Sequence, residues 1–460
     1  MKQTLLRSRI VHFRDDVAGS PDTALEYFED GVIGFADGRI TLLEDARRAE
    51  KQGLDLSTAE HRPEALVTSG FIDAHVHAPQ LAVMGSYGEK LLDWLHKYTF
   101  PAELQFADEE ISRQNAEFFI DALLACGTTS AMVFTTSFAH STDHLFQAAE
   151  RAGMRLIAGK VLMDRNAPDA LLDTPERALR ESATLIEKWH GRGRLGYAVT
   201  PRFAGTSSRE QLSVAGQLLR DYPDLWLQTH LSENLDEITW TASLFPEASD
   251  YLNTYELYGL HGERSIYAHC IHLSESEQHR IAYAGASVAF CPSSNLFLGS
   301  GLLKLQQLRE HEIPVALATD VGAGTSLCQL RSMGEAYKVC QLGDYPLGAA
   351  EAFYMATLGA ARALHQERHI GNLAPGKEAD ILLLNGNREP LLRERLRHCR
   401  DIREELFAYM SMGDERIIER TYVAGKVAGK MAGEVAGMKT KMGTCSPRHE
   451  PQHHERVHAP

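Results

Sequence analysis

A chain of 460 residues is long enough for one large domain and a smaller one. Apolar residues make up 44% and charged residues 24%, ordinary for a globular protein, and a net charge of −15 argues against nucleic acid or an anionic membrane as a partner. There is no window of about 18 apolar residues to span a bilayer, "MKQTLLRSRIVHFRDD" lacks a signal-peptide core, and the seven cysteines are scattered without a CxxC pair, so a reducing, cytoplasmic setting is expected.

Residues 1–66 are strand-like. "FEDGVIGFADGRITLLED" alternates, turns at Asp37-Gly38 and alternates again, which predicts a hairpin. From 67 to 365, short apolar runs such as "TTSAMVFTT", "GYAVTPRF" and "IPVALATDVG" alternate with amphipathic stretches such as "SRQNAEFFIDALLACG" and "SREQLSVAGQLLRDY". Strand then helix, repeated about eight times, predicts an α/β fold built on a parallel (β/α)8 barrel. A doubly wound open sheet is the alternative, weakened because neither GxGxxG nor GxxxxGK[ST] is present. Over 366–425 strand texture returns, in "IGNLAPGKEADILLLN" and "ERIIERTYVAGKVAG", and these strands are expected to join the N-terminal ones in one small β domain. Residues 426–460 read as a low-complexity, disordered tail. Its histidines (His449, His453, His454, His458) follow proline and charged residues with no packing pattern, which speaks against a metal cluster there.

Within the barrel region, polar residues fall at strand ends, where a β/α barrel builds its active site. "FIDAHVHAPQ" puts His75 and His77 two apart on a strand, facing the same way. "LQTHLSEN" ends a strand in His230 with Glu233 three further on, "IYAHCIHL" ends one in His269 with His272 beyond, and "ALATDVGAG" ends one in Asp320 before glycines that permit a tight loop. Imidazoles with one carboxylate suit Zn2+ or Fe2+ better than Mg2+ or Ca2+. An open coordination position would hold a water whose pKa falls toward ~7. Glu233, within a turn of the metal, reads as a proton shuttle. Asp73 reads either as a ligand or as a partner behind His75, and His272 as a hydrogen-bonded structural residue.

The ordered set, with "IGNLAPGKEADILLL" as a returning strand, resembles the amidohydrolase superfamily over about residues 67–425. Within it the chain is most similar to guanine deaminases, through "YTFPAE", "MDRNAPD", "TPRFA", "THLSEN" and "ATDVGAGTS". The resemblance implies a distorted (β/α)8 barrel with an adjoining β-sandwich, and hydrolysis of guanine to xanthine and ammonia. It implies one Zn2+ on His75, His77, His230 and Asp320, with Fe2+ the other candidate. Glu233 and Asp320 would shuttle protons as metal-bound hydroxide attacks the amine-bearing carbon. His269 would sit beside the water or substrate, and Gln80, Arg202, Phe203 and His230 would contact the purine. A homodimer is expected from related barrels. One departure is Ser69, where such proteins commonly carry proline. The rival readings are another aminated heterocycle (pterin or triazine), a non-enzymatic barrel, and a dinuclear enzyme bridged by a carboxylated lysine, for which Lys160 is the candidate. A cytidine-deaminase-type zinc site is excluded, because P-C-x-x-C is missing.

Overall fold

The computed structural model describes residues 3–15 and 20–428, so the tail with its histidines lies, from residue 429 on, outside the described residues. The chain opens with β1 (Thr4–Phe13), β2 (Leu25–Ala36), β3 (Arg39–Asp45) and β4 (Glu60–Ser69). β2 and β3 form the expected hairpin. Its two turn residues, Asp37 and Gly38, have φ of 50° and 80°, the left-handed pair that matches strand twist.

Gly70 then hands the chain from this sheet into the barrel. A Cβ there would lie 2.0 Å from Thr129 Oγ1, so only glycine lets the two elements approach so closely. The barrel strands are β5 (Phe71–His77), β6 (Thr128–Phe134), β7 (Arg155–Gly159) with its short continuation β8 (Val161–Leu162), β9 (Leu195–Pro201), β10 (Trp226–Leu231), β11 (Ser265–His269), β12 (Ser287–Phe290) and β13 (Val315–Leu317). They pair in parallel and in chain order from β5 to β13. Both faces of the sheet are covered, so β5, β6 and β9 are buried at every position and read as continuous rather than alternating runs. The ring nearly closes beyond β13. There Asp320 N donates to His75 O and His77 N donates to Val321 O, both at 2.9 Å. These two bonds fasten the last strand's loop to the first strand, at the end where the histidines stand.

After the barrel come β14 (Ile381–Leu384), β15 (Ile418–Val423) and β16 (Lys426–Ala428). They extend the first sheet in the order β16-β15-β14-β4-β1-β2-β3, with Ile381 opposite Ser69 and Leu384 opposite Leu66. Chain ends more than 300 residues apart thus share one ladder. The sheet is mixed, because β1 and β4 run parallel. Its last hairpin extends past 425, the boundary drawn from composition. Between β14 and β15 lie two helices that strand texture did not reveal, Pro390–Leu396 and Ile402–Met412. Proline starts the first, and the Asp401 carboxylate, accepting from Glu404 N, starts the second.

Strand-to-strand packing is tight where β7 meets β9. A Cβ on Gly159 would lie 1.8 Å from Ala198 O and 2.5 Å from Thr200 Oγ1. Gly159→Ala should therefore destabilise the protein by ~1–3 kcal/mol, the usual range for overpacking. Urea denaturation measures this, and an unchanged midpoint would contradict the strand spacing.

Candidate active site

His75 and His77 stand two apart on β5 and so share a face, as their spacing demands. His230 comes from β10 and His269 ends β11. Asp320 follows β13. His269 and Asp320 have φ of 72° and 50°, a conformation that costs non-glycine residues energy and that neighbouring bonds hold in place. For Asp320 one such bond is from its own N to His75 O. The glycines after Asp320 serve close approach rather than left-handed turning. A Cβ on Gly324 would lie 1.8 Å from Thr319 O, and one on Gly322 would lie 2.6 Å from Gln80 O.

The side chains converge. His75 Nε2 lies 3.2 Å from His77 Nε2, and His77 Nε2 lies 3.3 Å from His230 Nε2. Asp320 Oδ1 is 3.2 Å from both His75 Nε2 and His77 Nε2. Donor atoms of His75, His230, His269 and Asp320 all fall within 4.8 Å of one another. Four ligands about 2.0–2.1 Å from a tetrahedral metal would stand ~3.3–3.4 Å apart, close to these separations.

The protonation pattern agrees. His230 Nδ1 donates to Arg202 O at 2.7 Å and His269 Nδ1 donates to Asn295 Oδ1 at 2.8 Å. Each bond leaves a lone pair on Nε2 aimed inward. Burial pushes His77 down to about 3 and His230 well below the ordinary imidazole value, so both are neutral, as ligands must be. Burial opposes ionisation of Asp320, but contacts with His75 and His77 hold it well below the carboxylate range. His269 Nε2 is buried without a hydrogen-bond partner. This donor set fits a divalent metal.

Asp73 is settled as a positioning partner. It accepts from Thr319 N at 3.0 Å, from Thr319 Oγ1 and from His75 N, which ties β5 to the Asp320 loop. His272 Nε2 donates to Ser300 O, as expected of a structural residue. The Lys160 amine is fully buried against Asp173 and Glu181, neither of which belongs to the histidine cluster. That engagement leaves it no role in bridging two metals.

Glu233 lies beside the cluster, with Oε2 3.4 Å from His269 Nε2, while Ser300 Oγ donates to its Oε1 at 2.9 Å. Burial, then the Asp320 charge, push Glu233 up to about 8 against the pull of Ser300. Glu237 accepts from Glu233 N and from Tyr251 Oη and so fixes this turn. A cavity opens in front, lined by His77, His230, Glu233, His269 and Asp320 and also by Gln80, Arg202 and Phe203. The expected ligands His75, His77, His230 and Asp320 therefore gather in one place with Glu233, His269, Gln80, Arg202 and Phe203.

Several neighbours were missed. Phe134 presses its ring against His75, His77 and His230, with centroids 4.8–4.9 Å apart. Its signal was only the end of an apolar run. Ser300 and Asn295 lie in the stretch "CPSSNLFLGSGL", and Glu103 closes "YTFPAE", but nothing in their spacing pointed at the metal.

A family model described as "Amidohydrolase family" matches residues 66–428. The guanine deaminase of Escherichia coli (strain K12) is 47% identical over 404 residues, covering 88% of this chain and 92% of that protein. The solved E. coli guanine deaminase superposes with a TM-score of 0.90 at 44% identity, covering 93% of this chain and 99% of that one. A guanine deaminase from C. acetobutylicum with guanine bound in its active site superposes with a TM-score of 0.84 at 28% identity, covering 93% and 100%.

His230→Ala removes one converging nitrogen. Metal affinity should fall by more than the ~10–100-fold typical of losing a group that only supports a ligand. Metal analysis after mild chelation reads this directly, and full retention would remove His230 from the ligand set.

Proposed function

The chain belongs to the amidohydrolase family, among its guanine deaminases, and from that premise we propose that it hydrolyses guanine to xanthine and ammonia in the cavity at the barrel's carboxyl end. One observation carries the reading: four imidazoles and Asp320 converge beside the buried carboxylate of Glu233. The cavity they share is also lined by Gln80, Arg202 and Phe203, donors and a flat ring suited to a planar heterocycle.

We assign one Zn2+ per chain to His75, His77, His230 and Asp320, with Fe2+ the chemical alternative. A cation bound there would lower the pKa of a coordinated water toward ~7 and so make hydroxide available at neutral pH. His269, whose Nε2 lies 3.7 Å from Asp320 Oδ2, is assigned to the water or the substrate rather than to the ligand set. Attack by the water oxygen at the amine-bearing carbon and departure of the amine require four proton movements. Asp320 Oδ2 takes one water proton, and Glu233 Oε2 delivers its own proton to the adjacent ring nitrogen, its other oxygen being held by Ser300. As the tetrahedral carbon collapses to a carbonyl, its hydroxyl proton returns to Glu233, and the proton held on Asp320 passes to the amine, which leaves as ammonia. Arg202 and Gln80 donate to the purine's carbonyl edge, and Phe203 forms a wall beside the ring. A homodimer and a cytoplasmic location belong to the same proposal. No helix among the described residues is long and apolar enough to cross a membrane.

Glu233→Gln preserves shape but cannot cycle a proton. Its kcat on guanine should fall on the order of 10²-fold or more, with metal content and KM near wild type. Normal turnover would refute the shuttle, and loss of metal would make Glu233 a ligand.

A further inference from the structure

Glu103 lies behind the substrate wall rather than in it. It sits on the short helix Phe100–Leu104 and is completely buried. Its two oxygens accept from Arg202 Nη1, both at 2.8 Å, and Oε1 also accepts from Gln80 Nε2 at 3.2 Å. The Phe100 ring of the same helix lies 5.5 Å from the Arg202 guanidinium carbon. One helical turn thus grips two residues that come from opposite parts of the barrel, Gln80 after β5 and Arg202 after β9.

The grip has a chemical consequence. An amide side chain has a donor end and an acceptor end, and either could face a ligand. For Gln80 the choice is made by its neighbours. Oε1 accepts from Gly322 N at 3.3 Å, a group that only donates, and Nε2 donates to a carboxylate paired with a guanidinium. With Oε1 engaged by Gly322 N, the remaining N–H of Gln80 is the donor that side chain has left for a ligand. Arg202 has no acceptor at all. With its Nη1 on Glu103, its other N–H groups remain for a ligand.

We propose that Glu103 is a positioning residue that makes this edge of the cavity donor-only, and so selects purines that carry a carbonyl rather than an amino group at ring position 6. The inference rests on the reading of guanine as substrate. Guanine presents an acceptor oxygen at position 6. A 2,6-diaminopurine has the same reactive amine but presents two N–H donors there, which would face the donors of Gln80 and Arg202. Sites built around directed hydrogen bonds reject mismatched analogues far more strongly than apolar pockets do.

The test compares kcat/KM for guanine and for 2,6-diaminopurine by ammonia release, with metal-loaded enzyme. Wild type should favour guanine by ~10²-fold or more. Glu103→Gln frees both neighbours, because an amide at 103 no longer dictates which end of Gln80 turns inward. KM for guanine should rise ~10-fold or more with kcat changed far less and metal content intact, and the preference should shrink by ~10-fold or more. A merely structural role would lower both substrates together. An unchanged preference ratio in the variant overturns the inference and leaves the guanine reading in place. Equal use of the two purines by wild type also overturns it, even if the variant fails to fold. Turnover of neither purine by wild type would remove the guanine reading and this inference together.

Discussion

Imidazole nitrogens held 3.2–3.3 Å apart in a buried space repel one another unless a proton or a metal cation lies between them. Burial adds to the problem. It strips water from His75, His77, His230 and Asp320 and makes a second proton on His77 or His230 unfavourable, so those two rings cannot relieve the crowding by becoming cations. The rest of the molecule holds this costly arrangement in place. The β13-to-β5 closure fixes Asp320 against His75, Asp73 braces the same junction through Thr319, and carbonyl and amide oxygens fix the outer nitrogens of His230 and His269. Metal binding releases the repulsion that the fold maintains.

The same bonds join chemistry to recognition. Arg202 O holds His230, one of the converging histidines, while the Arg202 side chain, gripped by Glu103, lines the cavity. Ser300 Oγ holds Glu233 while Ser300 O accepts from His272. The small sheet contributes less directly. By pairing β4 with β14 and passing the chain through Gly70, it sets where β5, and with it the first two histidines, begins.

Much of this was readable in the sequence because strand geometry leaves few choices. His75 and His77 at i and i+2 had to share a face, and single polar residues closing apolar runs had to gather at one end of a parallel barrel. The Asp37-Gly38 hairpin was legible because its turn chemistry is local. Long-range acceptance was not. Whether Asp73 ligates metal or braces a loop depended on Thr319, which is 246 positions away. Glu103 meets Arg202 across 99 positions, and their ion pair is buried. The helices between β14 and β15 were obscured by the strands flanking them, whose apolar runs dominate that region's pattern.

The central claim is that the converging side chains make guanine hydrolysis depend on a bound divalent metal. The most direct measurement follows guanine and xanthine by ultraviolet absorbance with the same protein, first stripped of metal by chelation and then reloaded with Zn2+. The account predicts negligible conversion by the stripped protein and restored conversion, one xanthine and one ammonia per guanine consumed, at about one metal per chain. Full activity in the metal-free protein, or no guanine consumption by the reloaded one, would contradict it.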